Sequence, residues 1–176
     1  MTTATSRILT ELADREAIRE CLYRYARGID RLDAEMLRSA YWPDAIDSHL
    51  DFTGNIEEFI AWSFPIMSTM DQTMHMIGNI LIRIESDQAA VESYFYGYHR
   101  INTPDGEKAD VIGAGRYIDN FEQRDGEWRI ARRLVQTDWF RQYPDSADWE
   151  AGMLGMKIDL GGRHPDDPSY LRLHLE

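Results

Sequence analysis

At Met74 the spacing of apolar residues changes from threes and fours to twos, and the new period holds as far as Phe140. Upstream, Ile18, Leu22, Tyr25 and Ile29 recur at intervals of four, three and four, the signature of one buried helical face. With Leu9 and Leu12 before them, they predict a first helix over about residues 8–27, with Gly28 as its stop. A short helix is expected at 34–40, ending before Pro43. A strand at 45–52, turned by Gly54, and a third helix at 56–70 follow. Pro65 should bend that helix or end it early.

Downstream the period is that of strands. Met74, Met76, Ile80, Ile82 and Ile84 fall on one face, and His75, Ile77, Asn79, Leu81 and Arg83 on the other. Turns at Ser86-Asp87-Gln88, Thr103-Pro104-Asp105-Gly106 and Arg124-Asp125-Gly126 separate strands at about 90–101, 110–123 and 128–140. A two-residue turn at Ser86-Asp87 places position 75 opposite 98; a three-residue turn places it opposite 99. The first is preferred because it groups Ile80, Ile82 and Ile84 with Val91 and Phe95, leaving His75, Asn79, Tyr96 and Tyr98 opposite. Which of Tyr98 and His99 shares a face with His75 therefore depends on register. Helices first and a strand meander second define an α+β chain. The expected division is one domain over 1–145 and a tail over 146–176. The tail has a short helix near 147–154, an irregular Gly161-to-Pro168 run, and a candidate role as pocket lid or subunit contact.

Two polar residues interrupt these patterns. Asp30 follows the apolar stripe of the first helix, and His75 opens a strand otherwise built of methionine and isoleucine. An imidazole oriented by a carboxylate can move a proton without a cofactor. Each residue also has a plain alternative: a strand histidine can be structural, and an aspartate past a helix stop can cap the next helix. Tyr25 and Asp30 would point about 140° apart on an unbroken helix, so sharing a cavity requires Gly28 to release the chain between them. Asp30 and His75 are the candidate catalytic residues. Tyr25, Trp42, Asn79, Tyr98 and His99 are the candidate substrate-binding residues.

The net charge is 19 − 31 = −12, which disfavours nucleic acid and anionic membrane surfaces as partners. The single cysteine, Cys21, cannot form an internal disulfide and suits a reducing cytoplasm. No apolar stretch reaches membrane length, and residues 1–7 lack the apolar run of a signal peptide. Five Trp, nine Tyr, six Phe and eight Met can line an adaptable apolar pocket. His49, Asp47 and Asp51 alternate on a short strand but lack the usual spacing of metal ligands, so no metal is expected. Gly113-Ala114-Gly115 has no helix after it and suits close approach of backbone or ligand within a strand. The charge-dense stretch 122–133 suits a solvated face.

The runs Ala17-Ile18 to Asp30, Met74-His75-Met76-Ile77-Gly78-Asn79, and Gly115-Arg116-Tyr117 through Arg124-Asp125-Gly126-Glu127-Trp128 resemble the SnoaL-like branch of the nuclear transport factor 2 (NTF2-like) superfamily, over about residues 8–143. The resemblance implies a cone: a strongly bent antiparallel sheet wrapped around N-terminal helices, with a deep apolar pocket. The chain is similar to that superfamily's scytalone dehydratase, bile-acid 7α-dehydratase and hexachlorocyclohexane dehydrochlorinase, cofactor-free eliminating enzymes with a pocket Asp–His pair. Asp30 and His75 fall on that pair, Tyr25 on a pocket tyrosine, and Tyr98 or His99 near a further polar residue. Arg132, Arg133 and Arg141 are open alternatives for a pocket arginine. The implied activity is a lyase acting on a hydrophobic cyclic or aromatic substrate, by dehydration or by carbon–carbon cleavage with formaldehyde release. An isomerase of the ketosteroid type and a non-catalytic binding module are the alternatives. A homo-oligomer is expected because the Ile80/Ile82/Ile84 face needs cover, and the resemblance implies a trimer before a dimer.

Overall fold

The computed structural model describes residues 3–145, 152–157 and 159–172. Helix α1 (Thr3–Arg31) and α2 (Ala34–Ser39) lead into β1 (Tyr41–His49), β2 (Phe52–Gly54) and α3 (Ile56–Ser68). Four long strands follow: β3 (Gln72–Glu85), β4 (Gln88–Asn102), β5 (Lys108–Arg124) and β6 (Glu127–Pro144). They form one curved, unclosed six-stranded sheet of order β2-β1-β6-β5-β4-β3. Strands β3 to β6 are an antiparallel meander, while β1 runs parallel to β6. Pro43, which lacks an N–H, sits where the β1–β6 register slips between Tyr41 and Ile46. The strand expected from residue 45 therefore begins at Tyr41.

The predicted stripe of α1 is the core. Ile18, Leu22, Tyr25 and Ile29 are buried against Ile82, Val91, Tyr117, Phe121 and Ile130 of the sheet. The first turns run past the sheet, so Leu9 and Leu12 stay exposed.

Gly28 does not stop the helix. α1 continues to Arg31 and ends in a Schellman turn, with Asp33 N–H donating to Gly28 C=O (2.9 Å), Leu32 N–H to Ile29 C=O (3.4 Å) and Leu32 at φ +54°. Gly28 is needed for another reason: a Cβ there would lie 2.8 Å from the backbone nitrogen of Leu37 in α2. Asp33, not Asp30, caps α2 through Met36 N–H. Pro65 also fails to end α3, which runs on to Ser68. Only part of the helix expected at 147–154 is described, and there Met153–Gly155 form a single 3-10 turn.

The register of β3 and β4 departs from both expected alternatives. The turn is Ser86-Asp87, and pairing is regular from Glu85↔Gln88 to Ile80↔Ser93. Then β3 carries one extra residue at Gly78-Asn79, so that Ile77 faces Phe95, His75 faces Gly97 and Thr73 faces His99. The bulge flips side-chain parity. Ile80, Ile82 and Ile84 point inward on one side of it, and Thr73, His75 and Ile77 on the other. Met74 and Met76, expected to share the isoleucine face, are exposed. The isoleucine face needs no second subunit for cover, because it packs into the core formed with α1. Tyr94, Tyr96 and Trp139 also remain exposed on the sheet. No described helix is long and apolar enough to cross a membrane.

Candidate active site

Asp30, in the last turn of α1, meets His75, near the start of β3. Its Oδ1 lies 2.7 Å from His75 Nδ1, and its Oδ2 accepts the His75 backbone N–H at 2.6 Å. An ionised carboxylate only accepts hydrogen bonds, so Nδ1 carries the proton and Nε2 is left as the acceptor nitrogen. Burial works to raise the Asp30 pKa. Hydrogen bonds from the His75 ring and backbone, the His75 charge and the Thr73 hydroxyl outweigh it, and the carboxyl ends below its ordinary value.

His75 forms part of the wall of an apolar cavity of about 300 Å³ enclosed by α1, α3 and the inner face of the sheet. Phe59, Trp62, Met67, Met70 and Phe95 supply much of its lining. Two more imidazoles border it. His99 meets the His75 ring edge-on, with centroids 5.1 Å apart. His49, at the end of β1, stacks on Phe59 at 5.4 Å. Burial, reinforced by neighbouring positive groups, lowers the His99 pKa to about 4 and that of His49 to about 3. Both are neutral near pH 7, and among the described residues no Asp, Glu, Lys or Arg lines the cavity. Gly97 makes the His75–His99 pair possible, since a Cβ there would lie 3.2 Å from both rings. The paired glycines of β5 divide the expected roles. Gly113 borders the cavity, and Gly115 admits the β6 backbone, whose Gln136 carbonyl would be 2.1 Å from an added Cβ.

Tyr25 lines the cavity although α1 is unbroken between it and Asp30. The two residues point in different directions, and His75 reaches across to join them: it borders both the cavity and the outer cleft containing Asp30. Behind the cavity wall, the Arg133 guanidinium lies between the rings of Tyr25 and Tyr117, at 4.0 and 4.2 Å. It pairs in bidentate fashion with Asp119 at 2.7 and 2.8 Å, and both side chains are fully buried. Arg133, like Trp128 and Ile130, thus departs from the solvated face expected over 122–133; Arg132 and Arg141 are exposed. Tyr41 donates to Asp47 at 2.6 Å, and burial raises the Asp47 pKa to about 6.

Three predicted binding residues lie outside the cavity. The bulge turns Tyr98 to the other face, where its hydroxyl donates to Asp110 at 2.5 Å, and leaves Asn79 exposed. Trp42 donates to the Glu122 carbonyl and stacks under Arg124 and Arg129. Tyr25 and His99 do line the cavity. Asp47 and His49 come no closer than 3.8 Å, and among the described residues no group of three or more His, Cys, Asp or Glu is placed to hold a metal ion. Sequence reasoning weighed His49 only as a metal ligand and overlooked Thr73 and Tyr117. Thr73 carried a signal, lying two residues before His75 on a strand.

Residues 10–134 match the family described as SnoaL-like domain. No protein of curated function matches the chain. Among solved structures, one described provisionally as a scytalone dehydratase of Novosphingobium aromaticivorans is 26% identical, with 78% of this chain and 93% of that one covered and a TM-score of 0.68. A hexachlorocyclohexane dehydrochlorinase (LinA) type 2 is 18% identical, with 82% and 99% covered and a TM-score of 0.71. An NTF2-like protein of N. aromaticivorans with a cystatin-like fold is 25% identical, with 77% and 88% covered and a TM-score of 0.62.

Proposed function

The chain belongs to the SnoaL-like domain family, and from that premise we propose that it is a cofactor-independent lyase acting on an uncharged hydrophobic cyclic or aromatic substrate. The observation that carries the reading is the 2.7 Å contact between Asp30 and His75 at the wall of an apolar cavity. Asp30 holds the tautomer, and His75 in its unprotonated form accepts a proton at Nε2. That no Asp, Glu, Lys or Arg among the described residues lines the cavity supports an uncharged substrate. Ligand pockets typically span about 300–1,000 Å³, and this cavity suits a compact ring system.

In a dehydration, His75 takes a proton from carbon, the C–H electrons become the new double bond, and the C–O bond breaks. The departing oxygen takes a proton from the Tyr25 hydroxyl, while the neutral His99 ring can donate a hydrogen bond to it, and it leaves as water. In the related cleavage of an aryl-propanediol, His75 takes the proton of the primary hydroxyl. The C–C bond then breaks to release formaldehyde, and its electrons form the alkene as the second hydroxyl takes a proton from Tyr25 and leaves as water. Acid–base help of this kind contributes about 10²- to 10⁴-fold per group. The exposed outer face around Met74, Met76 and Tyr96 supports assembly into a homo-oligomer, and the family resemblance favours a trimer before a dimer; light scattering reads the state directly.

The test is a screen of aryl and alicyclic alcohols and aryl-propanediols for new ultraviolet absorbance and for formaldehyde. His75→Ala should lose at least about 10²-fold in turnover while keeping its circular dichroism spectrum. A converted substrate that His75→Ala handles at the parent rate would overturn the reading.

A further inference from the structure

We propose that Arg163, in the C-terminal segment, is a positioning residue for the Asp30–His75 pair and acts through the hydroxyl of Thr73. The inference rests on the reading that this pair transfers the proton. Arg163 lies beyond the stretch that matches the family.

The segment around Arg163 docks where α1 ends and β3 begins. Gly161 C=O accepts from Gln72 Nε2 at 2.9 Å, and His164 N–H donates to Arg31 C=O at 2.7 Å. Farther on, in α4 (Pro168–Arg172), Tyr170 donates to Asp33 Oδ2 at 2.9 Å, and Arg27 covers its ring. These contacts bring Arg163 between three elements. Its Nη1 donates to the backbone carbonyl of Asp30 and to Thr73 Oγ1, the latter at 2.6 Å. Its Nη2 donates to the carbonyls of Met67 and Met70, at 3.3 and 3.2 Å. The Asp30 and Met67 carbonyls belong to the last turns of α1 and α3, and helix C-termini favour a cation.

The contact with Thr73 carries the argument. Thr73 is buried and shares the inward face of β3 with His75. A hydroxyl has one proton. With its oxygen accepting from Arg163 at 2.6 Å, that proton is left to turn toward the Asp30 carboxylate, whose pKa the Thr73 side chain helps to lower. A relay therefore runs from the Arg163 guanidinium through the Thr73 hydroxyl and the Asp30 carboxylate to His75 Nδ1. Asp30 holds the His75 ring and the His75 backbone N–H, and the relay adds the Thr73 hydroxyl as a third donor. Its rotamer is then set from two sides, and the imidazole is held by a carboxylate that cannot swing away. The planar fork reaches four acceptors from two nitrogens, a geometry that an ammonium group cannot reproduce.

The experiment uses the full-length chain with Arg163→Met, Arg163→Lys, Thr73→Val and Thr73→Ser, and with His75→Ala as reference. Two measurements are made: the low-field proton resonance of the His75–Asp30 hydrogen bond, which needs no substrate, and kcat and KM on an alcohol that the parent converts. Arg163→Met and Thr73→Val should each displace or abolish the resonance and lower kcat by about 10- to 100-fold, with KM nearly unchanged. Thr73→Ser should preserve both. Arg163→Lys should recover only part of the loss. A segment that merely tethers the termini would lower thermal stability and leave resonance and kcat untouched, and that result overturns the proposal. If Arg163→Met does not fold, Thr73→Val decides, because it keeps the Arg163 contacts to the carbonyls. If His75→Ala is inactive while Arg163→Met and Thr73→Val match the parent, this proposal alone fails. If His75→Ala turns over normally, the underlying lyase reading fails instead.

Discussion

The Asp30 carboxylate holds His75 at two points, the ring Nδ1 at 2.7 Å and the backbone N–H at 2.6 Å. The first contact selects the tautomer, and the second fixes the strand that carries the ring. Asp30→Asn keeps the shape but can present an N–H where the imidazole needs an acceptor. Turnover should fall about 10²- to 10⁴-fold, with the urea midpoint moved far less than for a core truncation. Steady-state kinetics beside urea denaturation separates the two effects.

Gly97 lies under both His75 and His99. The Cβ of Gly97→Ala would come 3.2 Å from each ring, tighter than ordinary contact but relieved by a few tenths of an ångström of ring movement. The expected result is a folded variant, within about 1 kcal/mol of the parent, whose turnover is down about tenfold or more because the imidazoles are displaced. Unchanged kinetics would mean that the spacing of the two rings is immaterial.

Gly28→Ala sets helix propensity against packing. Alanine favours a helix interior over glycine by about 1 kcal/mol. Its methyl, however, would lie 2.8 Å from the Leu37 backbone nitrogen, and backbone yields less readily than a flexible side chain. Net destabilisation of about 1–3 kcal/mol is expected, read as a lower urea midpoint.

Arg133 and Asp119 form a fully buried pair. Arg133→Met alone strands the Asp119 carboxylate and should cost about 3–5 kcal/mol, whereas Arg133→Met with Asp119→Leu removes both charges and should recover most of that loss. A double variant no more stable than the single one would show that the tyrosine–guanidinium stacking, rather than the charge pairing, dominates.

The neutral imidazoles make the fold acid-sensitive. In the unfolded chain, histidine takes up a proton near its ordinary value of 6.5, while folded His99 resists until about 4 and folded His49 until about 3. As pH falls below 6.5 the unfolded state binds protons that the native state refuses. Stability is then lost at up to about 1.4 kcal/mol per pH unit for each imidazole. Asp47, with a pKa raised to about 6 by burial, acts oppositely between pH 6 and 3.8, where the native state holds the extra proton. Subtracting one variant from the parent isolates a single group. His99→Gln should lose less stability than the parent between pH 7 and 4.5, with urea titrations at each pH as the measurement.

Much of the architecture was legible because it depends on local periodicity. The α1 stripe from Ile18 to Ile29, the four long strands and the turns at Ser86-Asp87 and Asp125-Gly126 follow from side-chain spacing and turn chemistry. The end of α1 was misread because its left-handed C′ residue is Leu32 rather than a glycine. Gly28, the residue that resembled a stop, is there for contact with α2. Within the site, Asp30 and His75 stood out as polar residues in apolar settings, and their contact is short. Tyr98, Asn79 and Trp42 were misplaced because their orientation depends on pairing across the sheet.

The sequence by itself determined the order of elements, the α+β class and the two polar residues most out of place, since each follows from neighbours within a few positions. Only the tertiary structure decided which side chains share the cavity. The extra residue at Gly78-Asn79 reverses the parity of half of β3 and brings His99, rather than Tyr98, beside His75. A bulge is defined by the strand opposite, so no local period records it. The placement of Arg163 against Asp30 and Thr73 likewise joins residues far apart in the chain, and only packing can bring a cation and its acceptors together over that separation.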